Sequence, residues 1–185
     1  MQLERFRLNR QQAILCIVDV QERLAAVMSE RQEVLRRCLQ LVEGAKVLGL
    51  PVLLTEQYPK GLGPTVAELR EALPAYEPVQ KLSFDCCAQQ DFMQALRRHG
   101  RPQVLLSGME THICVQQTAL GLLQAGYQVH LVADAACSRR GLDHRLGLAL
   151  MRQAGVVVSS TEAVLFELLQ EAGTEEFKAI SRLIK

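Results

Sequence analysis

The sequence has no tryptophan, only 4% aromatic residues and almost no net charge, with 21 Lys and Arg against 20 Asp and Glu for a formal +1. Without ring faces it lacks the stacking platforms that hold single-stranded bases. Without a cationic excess it lacks the field that holds a phosphate backbone or an anionic membrane. Neither nucleic acid nor a membrane is expected as a partner. No apolar run approaches the ~20 residues that span a bilayer. The start, MQLERFRLNRQQ, mixes charges of both signs where a signal peptide needs an apolar stretch. Cys-x-x-Cys is absent, and His99, His112, His130 and His144 show no ligand spacing. No glycine cluster, Gly61-Leu62-Gly63 included, follows a strand in a phosphate-binding pattern. Neither a metal nor another cofactor is expected.

What is present is 185 residues, 49% of them hydrophobic, enough for one compact domain over residues 1–185. Six cysteines (Cys16, Cys38, Cys86, Cys87, Cys114, Cys137) are scattered through a chain with ample apolar residues. A disulfide framework is not needed for stability, so a reducing, cytoplasmic compartment is expected.

Short apolar runs alternate with segments of helical period, the pattern of βαβ units around a parallel sheet. Strands are predicted at Ala13 to Val18, Pro51 to Thr55, Val79 to Lys81, Gln103 to Leu106, Gln128 to Val132 and Val156 to Ser159. Helices are predicted at 33–48, 66–73, 88–98, 114–125, 144–153, 162–169 and 175–184, with Gly49, Gly100 and Gly126 as stops. The fold class is α/β: a single-domain, doubly wound, six-stranded parallel sheet with helices on both faces and strand order 3-2-1-4-5-6. In such sheets ligands bind outside the carboxyl ends of the strands, where strand order reverses. Asp19 ends the first strand, Lys81 ends the third and Cys114 follows the fourth, so all three fall on one edge.

Each admits two readings. Cys114 at a helix start is a nucleophile whose pKa the helix dipole lowers, or a buried structural thiol. Asp19 is a general base or a loop-capping acid, and Lys81 a site residue or a solvated surface group. Their shared edge makes a triad of the three worth considering. Cys16 and Cys38 read as core. Cys86 and Cys87 read as surface or helix-start packing, and Cys137 is ambiguous.

These residues carry a resemblance. IVDVQ (Ile17 to Gln21), the strand-end Lys81 and LLSGMETHICVQQTALGLLQAGYQVHLVADA (Leu105 to Ala135) resemble the isochorismatase-like cysteine hydrolases, which include nicotinamidases and other small-amide hydrolases. The specific part is Gly108, Thr111, Cys114, Val115, Thr118 and Ala119. TEQYPKGLGPT and ETHICVQQTA resemble the isochorismatase domain-containing branch. The resemblance implies that Asp19, Lys81 and Cys114 form the catalytic triad, that the peptide preceding Glu110 is cis, and that the N–H groups of Glu110 and Cys114 form an oxyanion hole. Nicotinamidases carry an Asp-x-His metal motif after the second strand. Here Glu56, Gln57 and Tyr58 stand in that region, so a zinc site of that type is not expected.

The expected activity is therefore a metal-independent cysteine hydrolase of a small amide or related carbonyl compound, acting through a thioester. Gln21, Leu24, Tyr58, Glu110 and His112 are expected to line the substrate pocket. Two alternatives stand beside it: a non-catalytic binding or scaffold protein on the same fold, and a redox-responsive thiol protein pairing Cys114 with Cys137. A homo-oligomer is expected, with Phe177, Ile180, Leu183 and Ile184 of the last helix forming an apolar face that packs on its own domain or on a partner.

Overall fold

A computed structural model of the chain describes residues 3–73 and 75–185; Met1 and Gln2 of the starting stretch, and Pro74, lie outside the described residues. Six parallel strands form one sheet: β1 (Ala13–Val18), β2 (Val52–Gln57), β3 (Val79–Lys81), β4 (Gln103–Met109), β5 (Gln128–Cys137) and β6 (Val157–Ser159). Their order is β3-β2-β1-β4-β5-β6, as the alternation of runs predicted. β1 is buried along its whole length because helices cover both faces of a parallel sheet, which is why AILCIV carries no polar residue.

Alternate side chains of each strand enter different layers. Ala13, Leu15 and Ile17 point into a core built with α2 (Arg31–Leu48), α4 (Ala67–Ala72), α8 (Thr161–Leu169) and α9 (Glu175–Ile184). Ile14, Cys16 and Val18 point into the opposite core, built with α5 (Gln90–His99), α6 (Gln116–Gln124) and α7 (Gly141–Ala154). The helix after β1 and the helix after β4 thus lie on opposite faces. Between them, at the carboxyl ends of β1 and β4, lies the point where strand order reverses.

Several boundaries differ from the sequence reading. β4 and β5 run on to Met109 and Cys137, past the polar residues at which the pattern broke. Two short helices, α1 (Glu22–Ala25) and α3 (Pro59–Leu62), occupy stretches where no element was predicted, and α7 starts at Gly141 rather than at His144. The helix expected from Cys114 begins as a π-helical turn, Thr111–Val115, and becomes α6 only at Gln116.

The apolar face of α9 is also settled. Ile180 is fully buried, Phe177, Leu183 and Ile184 pack on the core layer, and Phe177 meets Phe166 of α8 edge-on at 6.3 Å. Of the two destinations open to that face, the protein uses its own domain.

Candidate active site

Asp19 follows the last residue of β1 with a φ of 54°, in the left-handed region, and its side chain is fully buried. Its Oδ1 accepts a hydrogen bond from the Thr55 hydroxyl at 2.7 Å, because β1 and β2 pair in register with Val18 opposite Thr55. Its Oδ2 accepts from Lys81 Nζ at 2.6 Å. Lys81 reaches across β2 from β3, and its ammonium also donates to Gln57 Oε1 at 2.8 Å and to the carbonyls of Ser83 and Phe84 at 3.2 and 3.4 Å. The surface-lysine reading is thereby excluded, since neither side chain of the pair meets solvent. Burial pulls the Lys81 ammonium down, but the Asp19 carboxylate and the neighbouring thiols more than offset it, and Lys81 ends above its ordinary value.

Cys114 arrives from the π-helical turn that follows β4. The residue is 5% exposed, and its thiol lies beside the same ion pair. Burial pushes the thiol well above its ordinary value, the Asp19 carboxylate pushes it further, and the Lys81 ammonium opposes the rise. This corrects the expectation from the helix start. The dipole argument assumes an exposed thiol at a regular helical first turn, whereas this one is desolvated and lies against an anion. The resting group is the neutral thiol.

Gly108 makes this convergence possible. It stands opposite Val18 with a φ of 119°, and a Cβ there would overlap the Val18 carbonyl oxygen. Only glycine lets β4 run this close to the strand that carries Asp19. The following Met109–Glu110 peptide is cis. The Glu110 N–H makes no hydrogen bond among the described residues.

The expected pocket residues fare unequally. Tyr58, half exposed, lines a cavity of about 570 Å³ with Lys60, Gln80, Lys81, Leu82 and Ser83. His112 lines a second cavity, about 460 Å³, with Arg139, Arg140 and Asp143, and its Nδ1 shares a 2.9 Å hydrogen bond with the Ser138 hydroxyl. The Glu110 carboxylate is buried and turned toward the end of β5, accepting from Arg139 N at 2.8 Å and Arg139 Nε at 3.1 Å. Two placements are corrections. The Gln21 amide donates to the carbonyls of Gln57 and Gly63 at 3.0 and 2.7 Å and accepts from Gln57 N at 2.7 Å. It is spent on holding the loop after β2. Leu24 packs into the core layer on the α2 side of the sheet, whereas Cys114 belongs to the layer on the other side.

Three contributors were not legible in the sequence. Thr55 and Gln57 end β2 and bind the two halves of the ion pair. Their only signal was their position at the end of an apolar run beside β1. Cys86, read as packing, is fully buried, with its Sγ 3.9 Å from the Thr55 hydroxyl, and burial pushes it up to about 12. The redox pair is also resolved. Cys137 lies in the α2-side layer and Cys114 in the other, so the sheet separates them. Among the described residues no group of three or more His, Cys, Asp or Glu side chains could hold a metal ion, and no helix is long and apolar enough to cross a membrane.

The chain matches the isochorismatase domain over residues 13–163. It is 38% identical over 179 residues to isochorismatase domain-containing protein 2 of Danio rerio, covering 96% of this chain and 89% of the other. The structure of MAR1 ribonuclease from Caenorhabditis elegans superposes with a TM-score of 0.90 at 35% identity, covering 96% of this chain and 92% of that one. The YcaC gene product of Escherichia coli, an octameric hydrolase of unknown specificity, superposes with a TM-score of 0.90 at 26% identity, covering 96% and 89%. With its six-stranded sheet, the residues at its switch point and these likenesses, the chain belongs to the isochorismatase family of hydrolases.

Proposed function

We propose that the protein hydrolyses a small amide or related carbonyl compound through a thioester on Cys114, without metal or cofactor. Asp19 takes the proton from the Cys114 thiol as Sγ attacks the carbonyl carbon, and the N–H groups of Glu110 and Cys114 stabilise the oxyanion. Asp19 returns that proton to the leaving amine as the C–N bond breaks. Water, deprotonated by Asp19, then attacks the thioester, and the acid and the free thiol are released. Lys81 holds the Asp19 carboxylate in place and balances its charge between these transfers. The observation that carries the reading is the fully buried Lys81–Asp19 ion pair, 2.6 Å long, facing a buried thiol. A structural role alone gives no reason to bring three ionisable groups together at the strand ends, at a desolvation cost of several kcal/mol per ion.

The proposal extends to a cytoplasmic protein that works as a homo-oligomer. The six unpaired thiols support the compartment, and the octameric Escherichia coli neighbour supports the assembly. RNA cleavage, named for the Caenorhabditis elegans neighbour, finds no cationic excess in a chain of net charge +1. The test is a panel of small amides with ammonia release as the readout, mass detection of an acyl adduct on Cys114, and an RNA arm as control. Wild type should turn over at least one amide, and Cys114→Ser should fold normally and lose turnover and adduct together. Wild-type ammonia release by Cys114→Ser would refute the thioester, and no adduct with any amide beside cleavage of the RNA would move the protein to the other activity.

A further inference from the structure

Asp19 stands just past the end of β1, and two features of its placement call for a partner. Its φ of 54° is left-handed, a region that residues with a Cβ seldom occupy. Its carboxylate also lies beside the Cys114 thiol, where the proposed reaction needs an oxygen free to accept. The Lys81 ammonium reaches Oδ2 alone. A carboxylate held at one oxygen can still turn about its Cβ–Cγ bond, because the wells of that torsion are broad.

Thr55 answers both. Its carbonyl accepts from the Asp19 N–H at 3.3 Å and its hydroxyl donates to Oδ1 at 2.7 Å, so one buried residue of β2 holds the backbone and the side chain of Asp19 together. With Oδ1 on Thr55 and Oδ2 on Lys81, the carboxylate is gripped at two points and its plane is set. Both contacts arrive from the β2–β3 side of β1, whereas Cys114 follows β4 on the other side. The direction of the Thr55 hydroxyl is also determined. A carboxylate only accepts, so the Thr55 proton goes to Oδ1, and toward Cys86, whose Sγ lies 3.9 Å away, the same oxygen can only accept. Cys86 is fixed in turn by its N–H, which donates at 3.0 Å to the hydroxyl of Thr118, four residues past Cys114. The chain from Cys86 through Thr55 therefore runs one way and ends on the carboxylate.

We propose that Thr55 is a positioning residue of the reaction: its hydroxyl locks the Asp19 carboxylate in the orientation from which it takes the Cys114 proton. The proposal rests on the hydrolase reading above and deepens it. A carboxylate offers about four acceptor sites, and two of them are taken from the β2–β3 side, which leaves the rest for the thiol. Thr55 acts through Asp19, so its loss should slow the chemical step and leave substrate binding nearly unchanged.

Steady-state kinetics of the full chain on an amide that wild type turns over, beside urea unfolding, tests this with Thr55→Val and Thr55→Ser. Valine keeps the branched shape and loses the hydroxyl, whereas serine keeps the hydroxyl and loses a methyl group. Thr55→Val should lower kcat by about 10- to 100-fold with KM within about threefold of wild type. Thr55→Ser should keep kcat within about threefold, although the methyl-sized void makes it unfold at lower urea. A packing role reverses the order, and a Thr55→Val protein with wild-type kcat, or a Thr55→Ser protein impaired as much as Thr55→Val, overturns the proposal. Should Thr55→Val fail to fold, Thr55→Ala removes the hydroxyl without a second methyl group against the carboxylate and must show the same loss of kcat. A double-mutant cycle of Thr55→Val with Asp19→Asn needs no substrate, and the two changes should couple by at least about fivefold in the unfolding equilibrium constant. A wild type inert toward every amide refutes the hydrolase reading, whereas changes that act independently in the cycle refute the grip of Thr55 on Asp19 whatever the activity.

Discussion

Replacing Lys81 by Met tests the centre of the site. The substitution keeps the bulk of the side chain and removes its charge, leaving the Asp19 carboxylate without the cation 2.6 Å away and Gln57 Oε1 and the carbonyls of Ser83 and Phe84 without a donor. Because neither member of the pair meets solvent, removing one partner should cost about 3 to 5 kcal/mol of stability at neutral pH. Urea unfolding followed by circular dichroism measures this directly. The double variant Lys81→Met, Asp19→Asn leaves no buried charge and should regain at least about 1 kcal/mol of the loss, a coupling that only a direct interaction produces. The pH dependence follows from the direction of the Lys81 shift. A cation whose folded pKa is raised contributes its stability fully below its unfolded value, about 10.5, and loses it as pH rises through the folded value. The gap between wild type and Lys81→Met should therefore be flat from about pH 6 to about pH 9 and shrink only above about pH 10.5. Turnover should fall by at least ~100-fold, because Asp19 then serves as a base without its positioning charge. A loss of less than about 1 kcal/mol with activity retained would return Lys81 to a packing role and remove the ion pair from the mechanism.

Three further outcomes follow from the same geometry. Gly108→Ala should destabilise the fold by about 3 kcal/mol or more, since it combines a positive φ with overlap on the Val18 carbonyl; urea unfolding within about 0.5 kcal/mol of wild type would contradict the close approach of β4 to β1. Alkylation of Cys114 by iodoacetamide, read by mass spectrometry, should be slow at neutral pH and rise about tenfold per pH unit without a plateau below about pH 9, because the resting group is the neutral thiol. A plateau near neutrality would show a preformed thiolate. Treatment with a chelator should leave amide turnover intact, and loss of activity restored by zinc would overturn the metal-independent reading.

The strand order was legible because each strand is a short apolar run and because crossover rules leave few ways to thread six of them. What escaped were features without periodicity. A π-helical turn adds one residue to a helix start, and nothing in ETHICV distinguishes it from an ordinary first turn. Helices of four residues, such as α1 and α3, are too short to show a period. Side-chain direction at strand ends was the other gap. Gln21 and Leu24 lie close to Asp19 in the chain, yet one is consumed by backbone groups of the neighbouring loop and the other turns to the opposite core.

In the proposed mechanism the raised pKa of the Cys114 thiol is the reason all three residues are needed. A thiol at an exposed helix start could ionise unaided, and its neighbours would then be accessories. Here burial and the Asp19 charge hold the proton on sulfur, so attack on a carbonyl requires a base within reach at the moment of reaction. Asp19 is the carboxylate placed for that role, and the ammonium of Lys81, fixed by Gln57 and two backbone carbonyls, balances its buried charge. The same carboxylate that disfavours the resting thiolate thereby supplies the proton acceptor. In the proposed mechanism nucleophile formation is tied to substrate arrival, when the N–H groups at Glu110 and Cys114 give the developing negative charge a place to go.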